Sequence, residues 1–438
     1  MDLLAVVGIV LFFVGLMLSI ALHEVGHLVP AKLFGVKVSQ YMVGFGKTIW
    51  SRRRGETEYG VKAVPLGGYV RMIGMFPPEL GGRSSELRQS STGLFQTMAR
   101  DARNSSREEI GPGDEDRVFY RKAWWKKLIV MLGGPAMNVV LAVLLAGSVL
   151  MTFGNPEKPV YSPVISSVNE CVIPASENRT DCAPSDPRAP ANEANFRPGD
   201  EVLSVGSQRV STWPEVSEAI ADAGAGPVEV VVERDGEQLT LRPDLLVAER
   251  PDPSDEAGDV QQTSFLGIAP TFQHFQREDV AGTLAWTGDF VTRTAEAMSH
   301  IPQRMVDVWD AAFGGGERGR DTPVSIVGAG RIGGEIASAD ALDGGQRIAT
   351  FLMLLASFNM AIALLNLVPL LPLDGGHAAG ALWEALKRAY AKVFRRPEPY
   401  PVDVAKALPI AYGVAVVLVG MSALLIYADF VNPVRLFG

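Results

Sequence analysis

The sequence predicts a multi-pass α-helical membrane protein with four transmembrane helices and an α+β domain held outside the bilayer. Three observations predict it. Four apolar runs are each long enough to cross a hydrocarbon core of ~30 Å at ~1.5 Å per helical residue. The chain of 438 residues is 47% hydrophobic with a mean hydropathy of +0.15, and the apolar residues are gathered into those runs. The stretches between the runs differ in sign: residues 34–127 carry 17 Lys/Arg against 10 Asp/Glu, and residues 154–300 carry 10 against 25. The positive-inside rule places the first stretch in the cytoplasm and the second outside. The net charge of −9 is therefore an average dominated by an acidic external region. No clustered basic face of the kind that binds nucleic acid is present.

The first span is expected over 1–33, because Leu3–Leu22 holds no charge. A cleaved signal peptide is the rival reading. Met1-Asp2 supplies no basic leader for one, and the motif described next would follow directly on the cut, so the segment should be retained. Leu128–Phe153 predicts the second span (124–153), Ile348–Leu373 the third (348–378) and Leu408–Tyr427 the fourth (405–430). Lys387, Arg388, Lys392, Arg395 and Arg396 return the loop after the third span to the cytoplasm, leaving both termini extracytoplasmic.

His23-Glu24-Val25-Gly26-His27 closes the first span. Residues four apart share a helix face, so His23 and His27 can hold one metal ion while Glu24 flanks a metal-bound water as general base. The bland alternative is a pair of core histidines. His is scarce, 5 of 438 residues, and composition alone rarely places two of them around a Glu at this spacing. Ionisable groups inside a membrane span are also functional by default.

A catalytic zinc takes three protein ligands and keeps one position open. Asp374, in Asn366-Leu-Val-Pro-Leu-Leu-Pro-Leu-Asp374-Gly-Gly-His377, can supply the third. The prolines and glycines there break the helix and let polar groups face a cavity. Both spans enter from outside, and His23 and Asp374 each lie twenty to twenty-five residues in, so the two motifs meet at one depth toward the cytoplasmic side. His377 is a competing ligand, with a supporting contact to Asp374 as its alternative role.

With HEVGH in one apolar run and Asn366–Asp374 in another, the chain resembles the site-2 protease family of intramembrane zinc metalloproteases, in particular the bacterial group that cuts anti-sigma factors. Its Ala-, Val- and Arg-rich composition is similar to that of actinobacterial members. The resemblance implies a single Zn2+ held by His23, His27 and Asp374, with Glu24 as base and Asn366 holding the unwound substrate. It further implies a single-span membrane protein as substrate, an anti-sigma factor above all, with an earlier protease acting first. Tyr59–Met72, within a cytoplasmic-side region 34–78, resembles the family's membrane-associated β-hairpin. There Gly67, Gly68 and Tyr69 would pair with an extended substrate by β-addition; a purely structural hairpin is the alternative. Gly133-Gly134-Pro135-Ala136-Met137-Asn138 also matches the family and is read as close helix packing.

Phe196–Gly206, Trp213–Ile220 and Val228–Gly236 predict strand, helix, then strand and hairpin, similar to the PDZ domain of bacterial proteases. One extracytoplasmic PDZ-like domain over 160–247 follows, either reading cut substrate ends or screening access. Cys171 and Cys182 lie in an inserted loop, Asn169–Pro190. Outside the cell they can form a disulfide worth about 2–3 kcal/mol; a second zinc site is the rival. Residues 79–123 read as a polar cytoplasmic insertion, mobile up to Asp116. Residues 275–347 read as an amphipathic external segment, with Leu284, Phe290, Ala295, Met298, Ile301 and Met305 on its apolar side, lying either on the outer membrane surface or against the PDZ-like domain. The glycines after Pro323 have no βαβ unit around them, which excludes a nucleotide site.

A membrane-anchored zinc protease of exposed or misfolded chains, and a non-catalytic PDZ scaffold, are the competing functions. The first would take a third ligand from a polar helix near the first span, and the second would lack Glu24 or a ligand. Neither signature is in the sequence.

Overall fold

Leu3–Leu33 folds as one thirty-one-residue helix, α1, because it is apolar almost throughout and its single proline, Pro30, falls only in the last turn. A computed structural model of the chain describes residues 2–78, 103–104, 106–173, 181–251, 260–316, 318–319 and 322–435. After α1 come β1 (Val38–Arg54), β2 (Thr57–Met72) and α2 (Trp124–Thr152). Then follow β3 (Pro159–Val168), α3 (Pro190–Glu193), β4 (Glu201–Val205), β5 (Gln208–Arg209), α4 (Trp213–Ala223), β6 (Gly226–Pro227), β7 (Val230–Arg234) and β8 (Glu237–Leu241). β9 (Asp244–Pro251), β10 (Val260–Phe265) and β11 (Ile268–Phe275) complete the strands. The last helices are α5 (Val280–Ser299), α6 (Ile301–Phe313), α7 (Ile326–Ser338), α8 (Gly344–Leu367), α9 (Asp374–Val393) and α10 (Leu408–Val431). The chain divides into two units, residues 1–153 with 279–438, and residues 154–278.

In the first unit, four helices among the described residues are long and apolar enough to cross a membrane: α1, α2, α8 and the stretch 404–431 that contains α10. The third apolar run, expected to continue to 378, ends as a helix at Leu367. Residues 368–373 are a loop, and Asp374 opens the separate helix α9. Pro369 and Pro372 are the physical reason, since neither can donate the backbone bond a helix interior needs. Gly375 makes the return compact: a Cβ there would collide with the Val368 carbonyl.

β1 and β2 pair antiparallel about the Gly55-Glu56 turn, with Arg54 opposite Thr57. Gly67-Gly68 lie within β2. Gln40–Val43 has partners on both sides, Glu58–Val61 and Gly68–Arg71, so each long strand doubles back and Gly68–Met72 forms an outer segment. Ile49 and Trp50 at the far end are largely exposed. Of the insertion, residues 79–102 and 105 lie outside the described residues. Part of the segment expected to be mobile, 106–116, is packed: Ser106 and Asp114 are buried, and Lys37 bonds Asp114 at 2.6 Å.

The segment expected to be external forms three helices with a break at His300, grouped with the long apolar helices. Leu284, placed on the apolar side by spacing, is exposed; Thr283 and Trp286 are the buried residues, Trp286 packed with Ala146, Leu150 and Ala356 of α2 and α8. The glycines after Pro323 form the buried face of α7, which packs on α1: a Cβ on Gly334 would come within 2.8 Å of the Ala5 carbonyl. Arg318 and Asp429, both almost fully buried, pair at 2.5 Å, and Asp429 also accepts the Ser325 N–H at 2.7 Å, which fixes the end of α10 to the start of α7.

The second unit is larger than the expected 160–247. Its main sheet runs β11-β3-β4-β7-β8 with β5 on β4, beside a three-stranded sheet β10-β9-β6. β11 pairs with the first strand, β3, so the sheet cannot close before residue 275. Val230 and Val232 alternate inward from β7, and Val202 and Val205 face the same core on either side of a register shift in β4, against Val216 and Ile220 of α4. Cys171 and Cys182 are joined by a disulfide. Burial opposes the charge on Asp200, but the Arg234 guanidinium at 2.6 Å and the Arg197 N–H at 2.8 Å hold its carboxyl below the usual aspartate range.

Asp200→Ala should destabilise this unit by about 1–3 kcal/mol, since it removes a buried carboxylate together with its hydrogen bonds to the Arg234 guanidinium and the Arg197 N–H, measured as a lower denaturation midpoint. Because the folded carboxyl is held low, that contribution is present above the ordinary aspartate range and lost as pH falls below it. The variant should therefore lose less stability on acidification than wild type. Labelling of Cys171 or Cys182 by a thiol reagent on folded, unreduced protein would contradict the bridge, which is expected to contribute about 2–3 kcal/mol.

Candidate metal centre

α1 carries His23 and His27 on one face, both buried, with Glu24 buried beside them. α9 brings in Asp374 from the opposite end of the sequence. One turn on, Ala378 packs with Leu28 and Ala31 of α1 and Val130 and Met131 of α2, which seats the start of α9 on that helix pair. Farther along, Glu384 of α9, 1% exposed, takes a 2.7 Å bond from Lys127 of α2 and a 3.0 Å contact from Arg388. The buried pair fixes α9 against α2 and so sets where Asp374 arrives.

His23 Nε2 and His27 Nε2 each lie 3.3 Å from Asp374 Oδ2, and 3.2 Å from one another. His27 Nδ1 is 2.7 Å from the Val130 carbonyl, which can only accept, so Nδ1 carries the proton and Nε2 presents its lone pair. A tetrahedral zinc with bonds of ~2.0–2.1 Å puts its donors ~3.3–3.4 Å apart, the spacing these three atoms have. Two imidazoles and a carboxylate are also the donor set of hydrolytic zinc. These are the only three His, Cys, Asp or Glu side chains so grouped among the described residues; His377 is not in the group.

Glycine provides the room. A Cβ on Gly26 would strike the Gly133 carbonyl, and one on Gly133 would strike the Gly26 carbonyl, so α1 and α2 cross backbone to backbone. One residue on, a Cβ on Gly134 would occupy the space in front of His27 Nε2 and come within 2.7 Å of His23 Nε2. Of the remaining expected residues, Gly68 packs on Glu24, where an added Cβ would lie 2.9 Å from Glu24 Cγ. Gly67 has a positive φ of 90°, and Tyr69 stacks on Phe45. Asn366 is half-buried in the last turn of α8, outside the three-residue group. The Val130 carbonyl and the Lys127–Glu384 pair were not foreseen: a backbone acceptor leaves no mark in sequence, and two charges 257 residues apart carry no mutual signal.

Residues 11–396 match Peptidase family M50. The chain belongs to that family. It is similar to the zinc metalloprotease Rip1 of Mycobacterium bovis, 36% identical over 439 residues and 99% of each chain. It is 33% identical over 447 residues to Rip1 of Mycolicibacterium smegmatis, covering 98% of this chain and 99% of that one. The metalloprotease MmpA of Caulobacter vibrioides is 26% identical over 390 residues and 84% of each chain. As an M50 member with these relatives, the chain is a zinc metalloprotease of the membrane.

Gly134→Ala should abolish zinc retention while leaving the helical content intact, because its methyl group enters the metal space. Metal content per purified chain measures this, and a full zinc equivalent in the variant would contradict the geometry.

Proposed function

We propose that this M50 protease hydrolyses a peptide bond within or beside the transmembrane helix of a single-span membrane protein, with an anti-sigma factor as the substrate class. The observation that carries this reading is the grouping of His23, His27 and Asp374 at the end of an apolar helix, ~30 Å from its first residue at 1.5 Å per residue. A soluble protease has no use for a site at that depth.

When bound by these three side chains, zinc acidifies a water and polarises the scissile carbonyl. Glu24 accepts the water's proton as the oxygen attacks the carbonyl carbon, then passes it to the departing amine as the C–N bond breaks. A helical substrate hides its carbonyls in internal hydrogen bonds and must unwind first. In our reading the outer segment Gly68–Met72 pairs with the unwound chain, Gly68 lets that chain pass close to Glu24, and Tyr69 and Asn366 hold it on either side. The disposition of charge supports a cytoplasmic hairpin, with the 154–278 unit and both termini extracytoplasmic. The 154–278 unit would serve as a PDZ-like module for the substrate's outer part.

Glu24→Gln should keep its zinc and lose at least ~10²-fold in cleavage of a single-span substrate in detergent or liposomes. Asp374→Asn should lose both zinc and activity. Wild-type turnover by the Glu24 variant would remove Glu24 from its role, and cleavage confined to unfolded soluble chains would replace the intramembrane reading. A single cysteine at Arg53 should react only from the cytoplasmic side and one at Asp235 only from outside.

A further inference from the structure

Every histidine that holds a metal needs a partner for its other ring nitrogen, to fix the tautomer and the ring. His27 has one, the Val130 carbonyl. His23 has none: its Nδ1 is buried without a hydrogen-bond partner. Elsewhere in the same helix cluster, Asn138 of α2 is 1% exposed and its Oδ1 is also buried without a partner. An orphaned donor and an orphaned acceptor inside apolar helices are each costly alone.

The helix packing brings the two to one level. Val130 meets His27, and Gly134 lies against His23 and His27. Higher on α2, Leu145 packs against the cluster that contains Phe12 and Leu16 of α1 with Ala329 and Leu355. As numbers rise along α2 they fall along α1, so Asn138 lies beside the turn between Ser19 and His23. Val130, Gly134 and Asn138 are four apart and share the face of α2 turned to the histidines. A helical side chain also leans toward its own N-terminus, which for Asn138 is the direction of Gly134 and the imidazoles. Ser19 gives its hydroxyl proton to Gly15 O and accepts from Asn359 Nδ2, and no bond joins it to His23 Nδ1.

We infer that Asn138 is the positioning residue of His23, its Oδ1 receiving the His23 Nδ1 proton through one ordered water. Direct contact is absent at hydrogen-bond distance, and a water satisfies both orphans at once. On α2, Val130 then orients His27, Gly134 clears the metal's space, and Asn138 orients His23. The inference rests on zinc being held by His23, His27 and Asp374.

Zinc affinity, measured by chelator competition on the full-length protein in detergent, tests it without reference to proteolysis. Asn138→Leu keeps the size and removes the acceptor, and should weaken zinc binding roughly 10- to 100-fold. Asn138→Asp keeps an acceptor and should bind zinc at least as tightly as wild type, as carboxylate–histidine–zinc arrangements do. A role in packing alone predicts the reverse order, since a buried charge is worse than leucine. Affinity of the Leu variant within twofold of wild type, or an Asp variant weaker than Leu, would overturn the proposal. Asn138→Ala carries the same reading if the Leu variant does not fold. Wild type that binds no zinc would instead sink the underlying assignment of the ligands.

Discussion

The backbone-to-backbone crossing of α1 and α2 at Gly26 and Gly133 is the constraint on which the reactive geometry depends. In a bilayer there is no hydrophobic drive between helices, so close association must come from small residues that let backbones approach. At this crossing the same small residues also leave a space lined by imidazole nitrogens. The Val130 carbonyl reaches His27 only because the helices are this close. Widening the crossing by one methyl group would lose packing, tautomer control and metal space together.

The second half of the site arrives by a different device. Asp374 is delivered by the 368–373 loop and the start of α9, a break in regular structure directly after a helix long and apolar enough to cross a membrane. Such a break is tolerated only where protein or a polar cavity receives its backbone. Gly375 and Gly376 fold the return tightly against the loop, and Ala378 and the Lys127–Glu384 pair hold α9 on α1 and α2. A buried ion pair is weak support for stability as such, but one that breaks costs several kcal/mol, which makes it a firm register pin. The hairpin joins the same assembly through Gly68 on Glu24 and through the Tyr41 hydroxyl, which donates to the Ala21 carbonyl at 2.7 Å.

The glycines of the chain serve two ends that look alike in sequence. In α7 they form a smooth face against α1, with no ligand involved. In α2 they make both a helix crossing and the space in front of two imidazoles. What separates the two cases is the presence of donor side chains on the opposing helix, which only packing reveals.

The number of apolar helices long enough to span a membrane and the side chains grouped at the candidate metal centre were legible in the chain because each rests on local pattern: long uncharged runs, two histidines four apart around a glutamate, and an aspartate beside helix breakers. The limits of the 154–278 unit were not, because β11 closes the sheet by pairing with β3 a hundred residues earlier, and such a pairing has no local signature. The same holds for Trp286 in place of Leu284 on the buried side of α5, where spacing gives a periodicity but the neighbours choose the face. Sequence by itself determined which atoms could bind and react. Tertiary structure alone decided that they converge to 3.3 Å, and which backbone and side-chain groups stand behind them, since those partners lie on helices brought together only by folding.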